Sequence, residues 1–312
     1  MYLGLAAALA AWYNKLYSGL RHAGRHKVKT HGDGSRNEKR IKEVLIMPTT
    51  YTHFAYGQEM LQLLPERIEK VLRPCEDYYN IGVHGPDILF YYRAFSKNKV
   101  NQYGVKVHRE PMKTFLEHAF KVYEKQKQKE EAFAYLAGFM THFILDSSCH
   151  PYIRRRIAET GISHTEIERD WDVLMMRKDH LDPMVYKAAC HIRTTKKYGT
   201  VIAPYYRKKP MEIQKSLCYM RLILDHIFRS AFGVTGHAAA FVNRKFMKKL
   251  KFEHYFVKRK VNPANKETCK ELFKLYAESQ ELCAGMITEL YDALQAGDLS
   301  FCEKKRFQRH FS

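Results

Sequence analysis

The sequence predicts an all-α fold: a multi-helix single domain over residues 47–312, preceded by a disordered extension over 1–46. Three observations predict it. Alternating apolar and polar residues, the mark of a half-buried strand, are scarce, whereas apolar residues recur at helical spacing in several long runs. The run from Glu131 is apolar nearly all round, through Phe133, Leu136, Phe139, Met140, Phe143 and Leu145, which is the pattern of a helix buried on every side. From Ser18 to Lys42, by contrast, the chain is basic, rich in His and Gly and without periodicity, as in segments that bury no core.

Taken in order, Met1 to about Tyr13 is apolar but too short to span a bilayer. No basic residues precede it, as they would in a secretory signal. The codons available to Lys42-Glu43-Val44 include a strong bacterial ribosome-binding sequence, at the usual distance ahead of Met47. Translation is therefore expected to start at Met47, with 1–46 a conceptual leader. The domain is expected to be cytoplasmic, without a transmembrane helix or an obligate protein partner, and peripheral membrane contact stays open.

From Met47 a helix is expected, capped by Thr50 or Thr52, with Met60, Leu63, Leu64 and Ile68 at helical spacing between Gln58 and Lys70. Gly85-Pro86 dictates a turn with an extended residue before the proline, and Asp87 follows it directly. A helix from about Met112 to Gln126, the Glu131 helix and a helix from Ile167 to Met176 come next. Residues 193–210 read as a loop. Met211 to Phe232 and Lys266 to Ala296 read as two long amphipathic packing helices, separated by a basic stretch, Arg244 to Lys260, with Tyr255 and Phe256 interleaved. That stretch suits a membrane surface, nucleic acid or plain solvent.

The formal net charge is +20, of which residues 1–46, with nine Lys/Arg against three Asp/Glu, supply +6. The remaining +14 favours anionic partners such as phospholipid headgroups, nucleic acid or phosphate esters. Seven scattered cysteines without a CxxC pair fit a reducing compartment and argue against a disulfide framework. Cys149 beside His150 reads as a small buried thiol or a ligand. No P-loop, GxGxxG or GxSxG is present.

The chemistry concentrates between Glu131 and Glu168. There His142 and Asp146 are four apart, His150 follows, and His164 and Glu168 are again four apart. On a helix such pairs share a face, and imidazole nitrogen with carboxylate oxygen is a donor set that suits zinc. A buried Asp needs a partner or a metal. A satisfied core His–Asp pair and a solvated His/Glu face is the structural alternative. Asp87 either caps a helix or stands as a fixed carboxylate able to orient or deprotonate a water. His53 and His118 are isolated, and Tyr152 to Arg156 could touch a phosphate or face solvent.

Together His53, Gly85-Pro86-Asp87, His108, His142-x3-Asp146, His150 and His164-x3-Glu168 resemble the zinc-dependent phospholipase C family, over about Met47 to Trp171. The family is all-helical and similar in site architecture to the P1/S1-type nucleases. The resemblance implies two or three zinc ions. His108, His142 and Asp146 would hold one, and His150, His164 and Glu168 a second. His53 with a bridging oxygen of Asp146 would form half of a third. Asp87 matches the acidic residue that helps activate water. No Trp sits just ahead of His53 to close the third site as in the secreted enzymes, and Pro48 would supply the free amine if Met47 is removed. Three functions follow: phospholipid cleavage to diacylglycerol and a phosphorylated headgroup, hydrolysis of single-stranded nucleic acid, or metal binding without turnover.

Overall fold

The computed structural model describes residues 49–94, 96–227 and 257–311. The extension 1–46, the Met47 start, Pro48, the Phe232 end of one expected helix and residues 244–256 of the basic stretch lie outside them.

Every regular element among the described residues is helical: α1 (Thr50–Leu63), α2 (Glu66–Leu72), α3 (Glu76–Gly82), α4 (Lys99–Arg109), α5 (Met112–Lys125), α6 (Lys129–Thr160), α7 (His164–Lys178), α8 (Lys196–Ile202), α9 (Pro210–Leu222), α10 (Lys266–Glu278) and α11 (Gln280–Ala296). All belong to one unit, Glu43–Ser312. The protein is all-α, as the periodicity requires.

α6 is the axis. α1, α2, α3, α5, α7, α8, α10 and α11 all pack against it, and residues 132–147 of it are buried without interruption. A helix apolar on every face can be stable in water only when surrounded in this way. α3 approaches α6 most closely, through Gly82 and Gly138. A Cβ on Gly82 would lie 2.3 Å from the carbonyl oxygen of Tyr135, and one on Gly138 would lie 2.2 Å from that of Tyr79. Two glycines therefore set the depth at which the turn after α3 meets the middle of α6.

Several local expectations are corrected. Neither Thr50 nor Thr52 caps α1, whose flanking Thr49 also makes no side-chain cap. The cap comes from another helix: Asp172 of α7 accepts the N–H groups of Tyr51 (3.0 Å) and Thr52 (2.8 Å) and the Thr52 hydroxyl (2.6 Å). Gly85 is not extended but lies in the left-handed region at φ 48°, and a short 3-10 helix, Gly85–Tyr91, follows. α6 passes through Pro151. It runs on to Thr160, although proline offers no N–H to the preceding turn. Residues 193–210 are not a loop, because burying Tyr198, Val201, Ile202, Tyr205 and Tyr206 folds α8 and a 3-10 turn there. The last long helix is broken at Ser279, whose buried hydroxyl bonds the Tyr276 carbonyl and the Tyr56 hydroxyl, both at 2.9 Å.

Candidate metal centre

α6 carries His142, Asp146 and His150 at successive four-residue steps, and all three are buried on one face. α7 begins at His164, with the Ser163 hydroxyl accepting the Glu166 N–H at 3.3 Å, and brings Glu168 to the same region. His53 sits in the first turn of α1 and His108 in the last turn of α4. Asp87 lies in the first turn of the 3-10 helix after Gly85. Gly85 itself is pressed against the site: a Cβ there would be 2.3 Å from Cδ2 of His142. The Tyr206 hydroxyl, donating to the Gly85 carbonyl at 2.8 Å, holds the turn in place.

The donor atoms gather in three groups: His53, His142 and Asp146; Asp87, His108 and His142; and His150, His164 and Glu168. Asp146 is the hub. Its Oδ1 lies 3.2 Å from His53 Nε2 and 3.7 Å from His150 Nε2, and its Oδ2 lies 3.2 Å from His142 Nε2. His108 Nε2 is 2.8 Å from Asp87 Oδ1. Glu168 Oε1 is 2.9 Å from His164 Nε2 and 3.3 Å from His150 Nε2. The partition differs from the one the resemblance implies. His108 and Asp146 fall into separate groups joined by His142, because Asp87 stands beside His108 while the Asp146 oxygens face His53 and His142.

Most of these atoms approach without hydrogen bonding, although His150 Nε2 and Glu168 Oε1 meet in hydrogen-bond geometry at 3.3 Å. Asp87 Oδ1, His108 Nε2, both ring nitrogens of His142, Asp146 Oδ2, His164 Nε2 and Glu168 Oε2 are buried without a hydrogen-bond partner. Orphaned buried polar atoms are costly. Here they lie side by side, aimed at shared points rather than at one another, which is what ligands of a common ion do. The imidazoles are also prepared for it. Nδ1–H of His108 donates to the Gly104 carbonyl at 2.8 Å, and Nδ1–H of His150 to the Phe311 carbonyl at 2.7 Å. Each bond reserves the Nε2 lone pair for a cation. Imidazole nitrogens with carboxylate oxygens, in groups of three that leave coordination positions open, fit catalytic zinc.

The electrostatics follow from burial and proximity. Burial pulls His142 down to about 4. Burial would depress His53 and His108 as well, but Asp146 beside the first and Asp87 beside the second raise both above the usual imidazole range. His150 loses to burial and gains more from Asp146 and Glu168, rising to about 9. Burial acts to raise the carboxyls of Asp146 and Glu168, yet His142 and His150 hold the first, and His164 and His150 the second, below the ordinary range. The His164 side chain, 36% exposed while those of its group partners are buried, marks where solvent reaches the third group.

The seven residues singled out as ligands, together with Asp87, thus lie in one connected region. The other candidates do not join it. His118 donates to the Pro204 carbonyl at 3.0 Å. Cys149 is a buried free thiol. Arg154 and Arg155 face solvent, while Arg156 bonds Thr268 and Glu159. Sequence reasoning missed Asp172, although it continues the His164–Glu168 face by one more turn. It missed the stacked pair His84 and His191, with Nε2 atoms 2.7 Å apart, and the Gly104 and Phe311 carbonyls, for which no sequence signal exists.

An all-helical protein with buried histidine–carboxylate groups of this kind belongs to the class of helical metalloproteins whose site is built from side chains on facing helices. The family model for zinc-dependent phospholipase C matches residues 52–218, just over half of the 312, and spans every ligand candidate. The chain belongs to the zinc-dependent phospholipase C family. Comparison with curated proteins and with solved structures returned no match.

Proposed function

We propose that the protein is a zinc-dependent phosphodiester hydrolase of phospholipase C type, cleaving phospholipid to diacylglycerol and a phosphorylated headgroup. The observation that carries the reading is the set of buried, orphaned nitrogen and oxygen atoms converging around Asp146. His150, His164 and Glu168 would hold one zinc ion, and His142 would take part in holding another with His53 and Asp146 on one side or with Asp87 and His108 on the other. Bound zinc supplies a Lewis acid that acidifies water and draws charge from the phosphoryl oxygens.

The chain's own residues do the rest. Asp87, anchored by its turn and beside His108, is placed to accept a proton from the attacking water. That water attacks phosphorus in line, and the diacylglycerol oxygen leaves with the electron pair of the broken P–O bond and takes up a proton. The basic domain suits approach to an anionic lipid surface. No helix among the described residues is long and apolar enough to cross a membrane, and a peripheral encounter is the mode proposed.

Release of choline phosphate from lecithin by purified, zinc-loaded protein tests the proposal, with elemental analysis giving the ion count. Cleavage of single-stranded DNA without phospholipid turnover would instead assign the site to nucleic acid. Bound zinc with neither activity would leave a metal-binding protein without turnover.

A further inference from the structure

Two contacts enter the site from far along the chain, beyond the residues matched by the family model. The Phe311 carbonyl accepts the Nδ1–H of His150 at 2.7 Å. The Phe311 ring, fully buried, lies 5.3 Å from the His108 ring, 5.8 Å from that of His142 and 5.2 Å from that of Phe143, centroid to centroid. The Arg309 carbonyl, accepting the Met112 N–H at 3.0 Å, ties the segment to the start of α5.

We propose that residues 309–311 are a working part of the metal centre, the Phe311 carbonyl setting the tautomer of His150 and the Phe311 ring closing the inner wall behind His108 and His142. The inference rests on the proposed zinc ligation by His150, His164 and Glu168. A carbonyl can only accept, so Nδ1 must carry the proton, and Nε2, 3.3 Å from Glu168 Oε1, is left with its lone pair toward the ion. His150 is the one member of its group on α6, and no side chain of α6 or α7 performs this service. The ring offers the two histidines an apolar face with no competing donor or acceptor. Phe311 is therefore a positioning residue: it acts through His150, His108 and His142.

The test compares a chain ending at Arg309, Phe311→Ala and His164→Ala with the full chain, by zinc competition against a chromophoric chelator and by far-UV circular dichroism. The shortened chain should stay helical and bind one zinc equivalent about 10–100-fold more weakly, the loss typical when an outer partner of a metal ligand is removed. It should be the same equivalent that His164→Ala abolishes. Phe311→Ala keeps the carbonyl and should leave that equivalent within about threefold of the full chain, because the outer partner survives. Unchanged affinity in the shortened chain, with the equivalent lost in His164→Ala, overturns the inference and leaves the proposed ligation standing. Unchanged zinc content in His164→Ala overturns the ligation itself. If the shortened chain does not fold, long-range 15N–1H correlation on the zinc-loaded full chain decides. A slowly exchanging proton on His150 Nδ1 supports the inference, and a bare Nδ1 sinks it.

Discussion

Replacing Gly85 by alanine perturbs the centre through one methyl group, and the structure gives its consequences in two parts. Gly85 sits at φ 48°, where an L side chain costs about 1–2 kcal/mol. The new Cβ would also lie 2.3 Å from Cδ2 and 2.6 Å from Cγ of His142, more than 1 Å inside ordinary contact. His142 has little room to retreat, since it is fully buried with the His53 ring 4.5 Å away on one side and Phe311 on another. Overpacking of this kind adds about 1–3 kcal/mol. Gly161, the left-handed residue that ends α6 at φ 70°, has nothing within 4 Å of the place a methyl would take, and so isolates the first part. Gly161→Ala should cost about 1 kcal/mol and Gly85→Ala about 3 kcal/mol, or roughly 3 °C against 9 °C in melting temperature for a domain of this size. Calorimetry on the zinc-free proteins measures this, and zinc titration measures the rest: Gly85→Ala should lose zinc held by His142, and Gly161→Ala should not. Equal melting temperatures and equal zinc content in the two variants would refute the claim that the Gly85 turn is shaped around His142.

The remaining expectations concern neighbouring groups. His142→Ala should abolish one zinc equivalent and all hydrolysis, while His118→Ala, which loses one half-exposed hydrogen bond, should keep both and cost under about 1 kcal/mol by urea unfolding. Asp172→Ala should cost about 2–4 kcal/mol by the same assay, since it leaves two backbone N–H groups and a hydroxyl at the start of α1 without their acceptor; an unchanged midpoint would show that the cap is dispensable. In zinc-free protein His150, raised to about 9, contributes stability that is complete below its ordinary pKa near 6.5 and lost as pH climbs through about 9. Denaturation midpoints should therefore fall over that interval and fall less in His150→Gln, while zinc binding at neutral pH should release protons that calorimetry in buffers of different ionisation enthalpy can count. Inorganic phosphate should inhibit competitively, and absence of competition would remove the case for an anionic substrate.

The all-α class was legible in the sequence because α6 announces itself: a run apolar on every face has one stable solution. The two local pairs, His142 with Asp146 and His164 with Glu168, were legible because four-residue spacing is a property of the helix alone. His150 lies one further four-residue step along the same face, and needs α6 to reach only as far as the residue before Pro151. His53, Asp87 and His108 came from the order of residues that the family resemblance supplied. Local physics does not bring them together, since each sits at a helix end or turn whose position is set by distant contacts such as Gly82 against Tyr135. The break at Ser279 and the folding of 193–210 escaped for the same reason: Ser279 is an unremarkable helix residue until Tyr56 reaches it. Phe311 could not have been found, because its carbonyl, not its side chain, meets His150 across 161 positions.

Charge explains why these residues make sense only as a set. Asp87, Asp146 and Glu168 place three carboxylates in a buried region, and burying ionised carboxylates without compensation is prohibitive. In zinc-free protein the compensation is protons, which is why His53, His108 and His150 are all raised while His142, between two carboxylates already paired with other histidines, is pulled down by burial. Divalent ions displace those protons. With neutral histidines, two zinc ions against three carboxylates leave a formal charge of +1, and three ions leave +3. At either count the loaded centre is cationic, inside a chain whose net charge is itself positive. Such a centre suits the proposed phosphodiester substrate, whose negative charge grows on the phosphoryl oxygens as the water attacks. The buried carboxylates call for cationic compensation, and under the proposed zinc ligation the cationic pocket that results favours an anionic ester.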